Sequence, residues 1–371
     1  MMEHFERFGL LLNNRVVRTP VAIASMAGVV DAAYLLSRAS HIGAAFIGGY
    51  PIDQPSVEAG KKTAASGRTE FLITDPAGEI GRQVEAMKQS DVVLGVNMRA
   101  AEPAPFVAMA ETLGDSIVYE IDAHCRQKPF TDIGCGEALL AAPEKLTAIV
   151  EALVKKDVSV SVKMRAGVSA DDRALARRVW KAGAEVLHID LMDEGKTKLR
   201  QIRNNCPITI IANNSINTFD RMKDMLAHGA DMVSLARQSD ERTLAGLDAA
   251  ICRYADDHGW YNSPKQLCRG GDIRALAFCC LPVKDCPLIP TLSHIGLSRE
   301  DYIKLKMDSV AGTPLQAGDQ TCFGSLAWCC KDTSPCMFRN MAIKRVKLSS
   351  RDYMIEKRRL SGKLMDAIFS G

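Results

Sequence analysis

The sequence predicts an α/β fold, a (β/α)8 TIM barrel, followed by a small cysteine-rich unit. Two observations predict the barrel. Short β-branched runs alternate with helix-patterned stretches through roughly the first 250 residues. No Gly-x-Gly-x-x-Gly follows the first run, as the competing doubly wound sheet would want. A third observation sets the rest apart: eight of the twelve cysteines fall between Cys268 and Cys336.

The strand candidates, in order, are Val21–Ser25, Ala45–Gly49, Val92–Met98, Ile117–Ala123, Ser159–Arg165, Val186–Leu191, Ile208–Asn213 and Met232–Arg237. Their number is that of a closed parallel barrel. Between them, Asp31–His41, Ile80–Gln89, Pro143–Lys155, Ala170–Ala182 and Phe219–His228 carry helical spacing. Residues 1–258 are therefore read as the barrel and 259–371 as an irregular, partly helical metal-binding domain ending in a basic helix.

A chain of 371 residues, 47% apolar and 25% charged, is ordinary for a folded protein of about two domains and excludes a disordered one. No apolar run reaches the ~18 residues of a membrane span. The first residues carry Glu3, Glu6, Arg7 and Arg15 and do not read as a signal peptide, so a cytoplasmic location is expected. The net charge of +3 gives no strong overall pull toward nucleic acid, but residues 338–371 hold nine Lys/Arg against three acids. That tail is either a solvated amphipathic helix or a surface for an acidic partner such as RNA or another protein.

In a barrel of this kind, function sits at the C-terminal strand ends. Those ends read Met26-Ala27-Gly28, Asn97, Asp122 to Cys125, Lys163 with Arg165, His188 with Asp190, Asn213-Asn214 and Ala236-Arg237. Any one of them is most simply a hydrogen-bonded rim residue. Together they suit a phosphate near the last strands and the polar edge of a flat heterocycle deeper in the mouth.

Glu120-Ile-Asp-Ala-His-Cys125-Arg, Gly134-Cys-Gly-Glu-Ala-Leu-Leu140 and Val162-Lys-Met-Arg-Ala-Gly167 resemble the core signature of the tRNA-dihydrouridine synthases, which are FMN-dependent TIM barrels. Ala24-Ser-Met-Ala-Gly-Val29 resembles that family's flavin turn, and Ala212-Asn-Asn-Ser-Ile216 with Leu235-Ala-Arg237 its last two strand ends. The resemblance implies FMN. Ala24, Ser25, Met26 and Ala27 would lie against the flavin ring, with Asn97 at an amide that contacts it. Lys163 would face the N1/O2 edge, and His188 would lie near the phosphate or ring. Asn213, Ala236 and Arg237 would hold the phosphate. Cys125 would be the general acid.

The departures are as informative. Where the family has Asn-x-Gly-Cys-Pro, this chain has Asp122-Ala-His124-Cys125-Arg126. His-x-Arg becomes His188-Ile-Asp190, Asn-Gly-Asp becomes Asn213-Asn214-Ser215, and Gly-Arg becomes Ala236-Arg237. Cations on both sides of Cys125 would lower its pKa, which suits a nucleophile or ligand better than a resting acid. Cys135 reads either as a small buried residue or as a resolving thiol or ligand partner for Cys125. Cys206 and Cys252 read as structural.

Beyond the barrel, Leu276-Ala-Phe-Cys279-Cys280-x5-Cys286 and Leu326-Ala-Trp-Cys329-Cys330-x5-Cys336 are one motif twice, each preceded by a further cysteine, Cys268 or Cys322. Four thiols per copy suit one metal centre each. Two [4Fe–4S] clusters accommodate adjacent cysteines more readily than Zn2+, which favours C-x2-C knuckles, so two structural Zn2+ are the alternative. The whole chain resembles the proteins called methanogenesis marker protein 9, which would imply an anaerobic archaeal cytosol.

The expected function is an FMN- and Fe–S-dependent oxidoreductase that reduces an unsaturated ring or conjugated bond, with a small molecule or RNA as substrate and a redox protein as possible donor. The alternatives are a tRNA-dihydrouridine synthase with an unusual C-terminal domain, and a non-catalytic Fe–S carrier or cofactor-assembly protein.

Overall fold

Strands buried on both faces must pair edge to edge and be covered by helices. Eight runs do so here: β1 (Val21–Ile23), β2 (Ala44–Pro51), β3 (Val93–Arg99), β4 (Val118–Ala123), β5 (Ser159–Arg165), β6 (Val186–Asp190), β7 (Thr209–Asn213) and β8 (Met232–Leu235). In the computed structural model all eight are parallel and in chain order, and β8 closes on β1. The structure describes residues 7–192, 194–261, 264–269, 273–279, 288–317, 326–329 and 337–369. It divides into two compact units, Val17–Cys252 and Met1–Val16 with Arg253–Gly371.

All eight expected strands form, with ends shifted by a few residues. Two of them, β1 and β8, stop before Ser25 and Arg237. The amide of Ala24 donates to Leu235 O (2.8 Å), after which the chain turns, with Met26 O accepting from Val29 and Val30. Ser25 and Arg237 are thus freed from the ladder at the barrel mouth.

The intervening helices start where side chains satisfy their first amides. Asp53 and Ser56 form a reciprocal cap, Asp171 accepts from Arg173 and Ala174, and Thr218 accepts from Arg221. Proline opens Pro76–Met87, Pro103–Leu113 and Pro143–Val154, where its missing N–H costs nothing. Below β7 and β8, buried Arg203 bonds Asp231 (2.6 Å) and the carbonyls of Cys206, Ile208 and Gly229. Cys206 lies buried beside it, its thiol on Ala176 O, and Cys252 lies near Asp248.

Register places chemistry in rows. Asn97 pairs with Glu120; Asp122, Lys163 and His188 form one cross-strand row; Arg165, Asp190 and Asn213 form the next.

In the second unit, Phe8 packs edge-on against Trp260 (4.8 Å) and Arg7 pairs with Asp256 (2.8 Å). Its longest helices are Arg299–Val310 and Ser350–Phe369. These extend the duplication beyond the cysteines. Leu297-Ser298-x2-Asp301-Tyr302-x3-Lys306 repeats as Leu348-Ser349-x2-Asp352-Tyr353-x3-Lys357. Each serine caps its helix by accepting from the aspartate amide (3.0 Å in both). Each tyrosine and lysine is fully buried. Of the tail's nine cations, Lys357 and Arg339 are therefore interior and unavailable to an acidic partner. No helix among the described residues is long and apolar enough to cross a membrane.

Candidate active site at the barrel mouth

Alternate residues of a strand share a face, so β3 to β6 send Asn97 and Arg99, Glu120 and Asp122, Ser161, Lys163 and Arg165, and His188 and Asp190 inward or toward the mouth in pairs. The structure resolves them into three linked groups.

The deepest group is a hydrogen-bonded chain. Glu120 accepts from Asn97 Nδ2 (2.8 Å), Ser161 Oγ (3.1 Å) and His188 Nδ1 (2.7 Å). His188 Nε2 lies 2.7 Å from Ser234 Oγ, which also accepts from Asn213 Nδ2 (2.9 Å). Burial alone would push the Glu120 carboxyl up, but His188, Lys163 and Asn97 outweigh it and hold the group below the ordinary range. Burial dominates at His188 and holds it below its ordinary value, against the pull of Glu120. His188 is therefore neutral, donating from Nδ1 and accepting the Ser234 hydroxyl at Nε2.

Above it sits Lys163. Its Nζ donates to Ser25 Oγ (2.8 Å) and Ser25 O (3.3 Å), which leaves one of three N–H donors without a protein partner among the described residues. Asn97 Oδ1 is likewise buried with no partner. Its orientation is fixed, because the amide nitrogen must face the Glu120 carboxylate.

The second group surrounds Cys125. Asp122 accepts from the amides of His124 and Cys125 (both 2.9 Å) and from Arg99 Nε (2.7 Å). Arg99 also donates to Gly49 O and lies 4.7 Å from the Phe71 ring. Gly49 (φ 76°) is needed here, because a Cβ would overlap the guanidinium. Burial would raise the Asp122 carboxyl, but Arg99, His124 and Lys163 hold it below the ordinary range. Cys125 is 8% exposed and shares an apolar cluster with Cys135, Phe71, Phe130 and Ala59.

The flanking cations do not lower the Cys125 pKa. Burial raises it, only partly opposed by Arg99. Arg126 is exposed, and His124 turns to Asp190. Burial pushes Cys135 up to about 12. Both groups are thus thiols at neutral pH. The loop between them is closed by Glu137 N donating to Cys125 O (2.9 Å), at a place where Gly136 (φ 64°) leaves no room for a side chain.

The third group is on the rim. His124 Nε2 lies 2.9 Å from Asp190, Arg165 reaches His124 Nε2 (3.3 Å), and Arg165 Nε is buried without a partner among the described residues. Burial would raise Asp190, but His124 and Arg165 keep it low. After β7, Asn214 keeps a φ of 108° without being glycine, and its Nδ2 donates to Met192 O (2.8 Å). After β8, Ser239 is held by Tyr34 and Arg38 from the helix following β1 (2.8 Å each), which fixes the loop carrying Ala236 and exposed Arg237.

Beside the Ala27 turn a cavity of about 430 Å3 opens between the loops after β1 and β2. Asp31, Glu70, Asp75 and Glu79 line it against a single cation, Arg82. Burial and the carboxylates of Glu79 and Asp31 push Tyr50 in its wall up to about 12.

Arg99, Glu120 and Ser234 carry much of this geometry and had no role assigned from sequence. The signal was present: a carboxylate or guanidinium two residues from another polar residue, inside an otherwise apolar strand.

Of the eight cysteines expected to hold metal, Cys268, Cys279 and Cys329 are described. Cys280, Cys286, Cys322, Cys330 and Cys336 lie outside the described residues. Among the described residues, no three His, Cys, Asp or Glu gather as a metal site.

Comparison with known proteins agrees with the barrel. The DHODH of Eimeria tenella, solved with ferulenol, superposes with a TM-score of 0.52 at 12% identity, covering 69% of this chain and 86% of that one. Two relatives are uncharacterized proteins of Methanocaldococcus jannaschii. MJ0115 is 43% identical over 107 residues, 29% of this chain and 69% of its own. MJ0144 is 25% identical over 232 residues, 58% of this chain and 88% of its own. Residues 81–243, which span β3 to β8 but neither β1 nor β2, match the dihydrouridine synthase (Dus) family. Through that stretch the barrel is dihydrouridine-synthase-like, that of a flavin-dependent oxidoreductase whose fold implies FMN.

Proposed function

We propose that the protein is an FMN-dependent reductase of an unsaturated ring or conjugated bond, with metal–thiolate centres in its C-terminal unit. One observation carries the FMN reading. Lys163 offers one unused N–H and Asn97 Oδ1 one unused acceptor, both buried and both linked to Glu120. This donor and acceptor complement the pyrimidine edge of a flavin, which presents acceptors at N1 and O2 and a donor at N3. Arg237, Ala236 and Asn213 would face the phosphate. FMN would supply hydride transfer to carbon.

The remaining work falls to the chain's own side chains. Lys163 holds positive charge at the mouth. The Glu120–His188–Ser234–Asn213 chain fixes the floor without adding a mobile proton, since His188 is neutral. Cys125 keeps its proton at Sγ because burial raises its pKa, which suits an acid delivering that proton to carbon and not a resting nucleophile. Asp122 holds the Cys125 amide and is itself held by Arg99.

The same proposal includes two [4Fe–4S] clusters, with two Zn2+ as the alternative. It rests on the duplicated cysteine motif, as does the possibility of a redox protein as donor. A link to methanogenesis in archaea rests on the resemblance in residues alone. The acidic cavity beside the Ala27 turn favours a small-molecule substrate over the polyanionic backbone of RNA.

Anaerobic purification followed by absorbance, iron, zinc and acid-labile sulfide assays on one sample tests the reading. A flavin band with about eight iron and eight sulfide per chain, the load of two [4Fe–4S] centres, is expected. Zinc with flavin would replace the clusters by structural metal. Protein that neither holds nor takes up FMN would overturn the reductase reading.

A further inference from the structure

Arg99 and Arg203, both buried in the barrel, each meet a carboxylate. Arg99 holds Asp122 (2.7 Å), and Arg203 holds Asp231 (2.6 Å). Arg165, half-buried at the end of β5, does not. Its Nε is buried without a partner among the described residues. A guanidinium carries five N–H donors, and the acceptor that faces this one is His124 O, at a long 3.4 Å.

The carboxylate placed to meet Arg165 is turned away from it. Asp190 is its register partner on β6. Asp190 Oδ2 lies 2.9 Å from His124 Nε2, and Oδ1 accepts from the Met192 amide (3.1 Å). Burial would raise the Asp190 carboxyl, but His124 and Arg165 keep it low, so it is ionised. His124 must then present an N–H to it at Nε2. Arg165 Nη2, 3.3 Å from that same nitrogen, therefore faces a donor and gains no bond there. Arginine does not shed its proton to relieve such a position. Its charge calls for an anion that the chain withholds.

We propose that Arg165 binds a carboxylate of the substrate, so that the bond to be reduced belongs to an unsaturated carboxylic acid, and that His124 is a positioning residue that keeps Asp190 off Arg165. This rests on the reading of the barrel mouth as a reductase site. The planar guanidinium fork matches the two oxygens of a carboxylate. A phosphate also fits the fork, but as a dianion it meets about twice the repulsion from ionised Asp190. The row of Arg165 and Asp190 lies one step further toward the mouth than the row of Lys163. The acid is thus held outside the donor and acceptor assigned to the flavin edge. His124 directly precedes Cys125, so the anchored end of the substrate lies one residue along the loop from the thiol.

The test titrates the full chain, purified anaerobically, with sodium benzoate, benzamide and phenyl phosphate by calorimetry. Benzoate and benzamide share a shape and differ in charge. Benzoate is expected to bind about tenfold or more tighter than benzamide, and tighter than phenyl phosphate. Arg165→Gln should bring benzoate down to the level of benzamide. His124→Ala frees Asp190 to close on Arg165, and should weaken benzoate several-fold while leaving benzamide unchanged. Benzoate bound no better than benzamide, unaltered benzoate binding in Arg165→Gln, or no saturable binding of either probe overturns the inference. Tighter binding of phenyl phosphate overturns the choice of carboxylate. Unaltered benzoate binding in His124→Ala removes the positioning role.

Should a variant fail to fold, phenylglyoxal labelling of the wild type with mass spectrometry decides. Benzoate should protect Arg165 from labelling and benzamide should not. The same labelling of Arg165 with either probe contradicts the proposal. Absorbance of the same samples reports bound FMN. A chain without FMN that still prefers benzoate through Arg165 sinks the reductase reading alone, and a chain with FMN that shows no such preference sinks this inference alone.

Discussion

In the barrel, buried Glu120 meets His188 two strands away and buried Arg99 meets Asp122 on the next strand. In the C-terminal unit, buried Lys306 and Lys357 donate to main-chain carbonyls, those of Leu276 and Ala327. The difference follows from what holds each backbone. Strand ladders fix the barrel, and its interior side chains are free to build a site. The described pieces leading into Cys279 and Cys329 are a short 3-10 helix and an irregular turn, and their carbonyls need side-chain donors to be satisfied. One unit uses backbone to place side chains, and the other uses side chains to place backbone.

Breaking a barrel pair should therefore cost most. Asp122→Ala leaves Arg99 buried without its carboxylate and frees the amides of His124 and Cys125. A loss of about 3–5 kcal/mol in denaturant unfolding is expected. A loss under about 1 kcal/mol would mean that the Arg99 pair does not organise the Cys125 loop.

A smaller effect is expected where one residue holds a strained turn. Asn214 keeps φ at 108° where the family has glycine, and ties the loop after β6 to that after β7. Asn214→Ala should lose roughly 1–3 kcal/mol, through backbone strain together with the lost hydrogen bond. Asn214→Gly should lie close to wild type, because relief of strain offsets the missing bond. Equal losses in both variants would show that only the side-chain bond matters.

The subtlest expectation concerns protons. Cys125 is raised above the ordinary thiol value of 9.0 by burial, so alkylation by iodoacetamide should be slow at pH 8 and accelerate only beyond pH 9. Cys135, raised to about 12, should react more slowly still. The sign for stability follows from linkage. A raised thiol contributes stability that is whole below the unfolded value and is lost as pH rises toward the folded one, here between about 9 and about 12 for Cys135. Fast alkylation of Cys125 near neutral pH would restore the thiolate that the flanking His124 and Arg126 suggested.

The barrel was legible because β-branched runs and helical spacing report directly on strand and helix, and all eight runs became strands. The polar strand ends were legible for the same reason. What sequence order hides is partner choice. His124 was read as a neighbour of Cys125, yet its ring bonds Asp190 sixty-six residues on. The cations that act on Cys125 are Arg99, from a strand away, and Arg68. The lysines of the second unit were counted as part of a basic tail or passed over. Only the fold shows them buried against turns about thirty residues earlier in the chain.

Equilibrium FMN binding to the anaerobically purified full chain, wild type against Lys163→Met, tests the central claim most directly. One FMN per wild-type chain is predicted. Loss of a charged hydrogen bond of about 1.5–3 kcal/mol should weaken the variant by about tenfold or more. Equal affinity in the two proteins, or no binding by the wild type, would contradict the assignment of the barrel mouth as a flavin site.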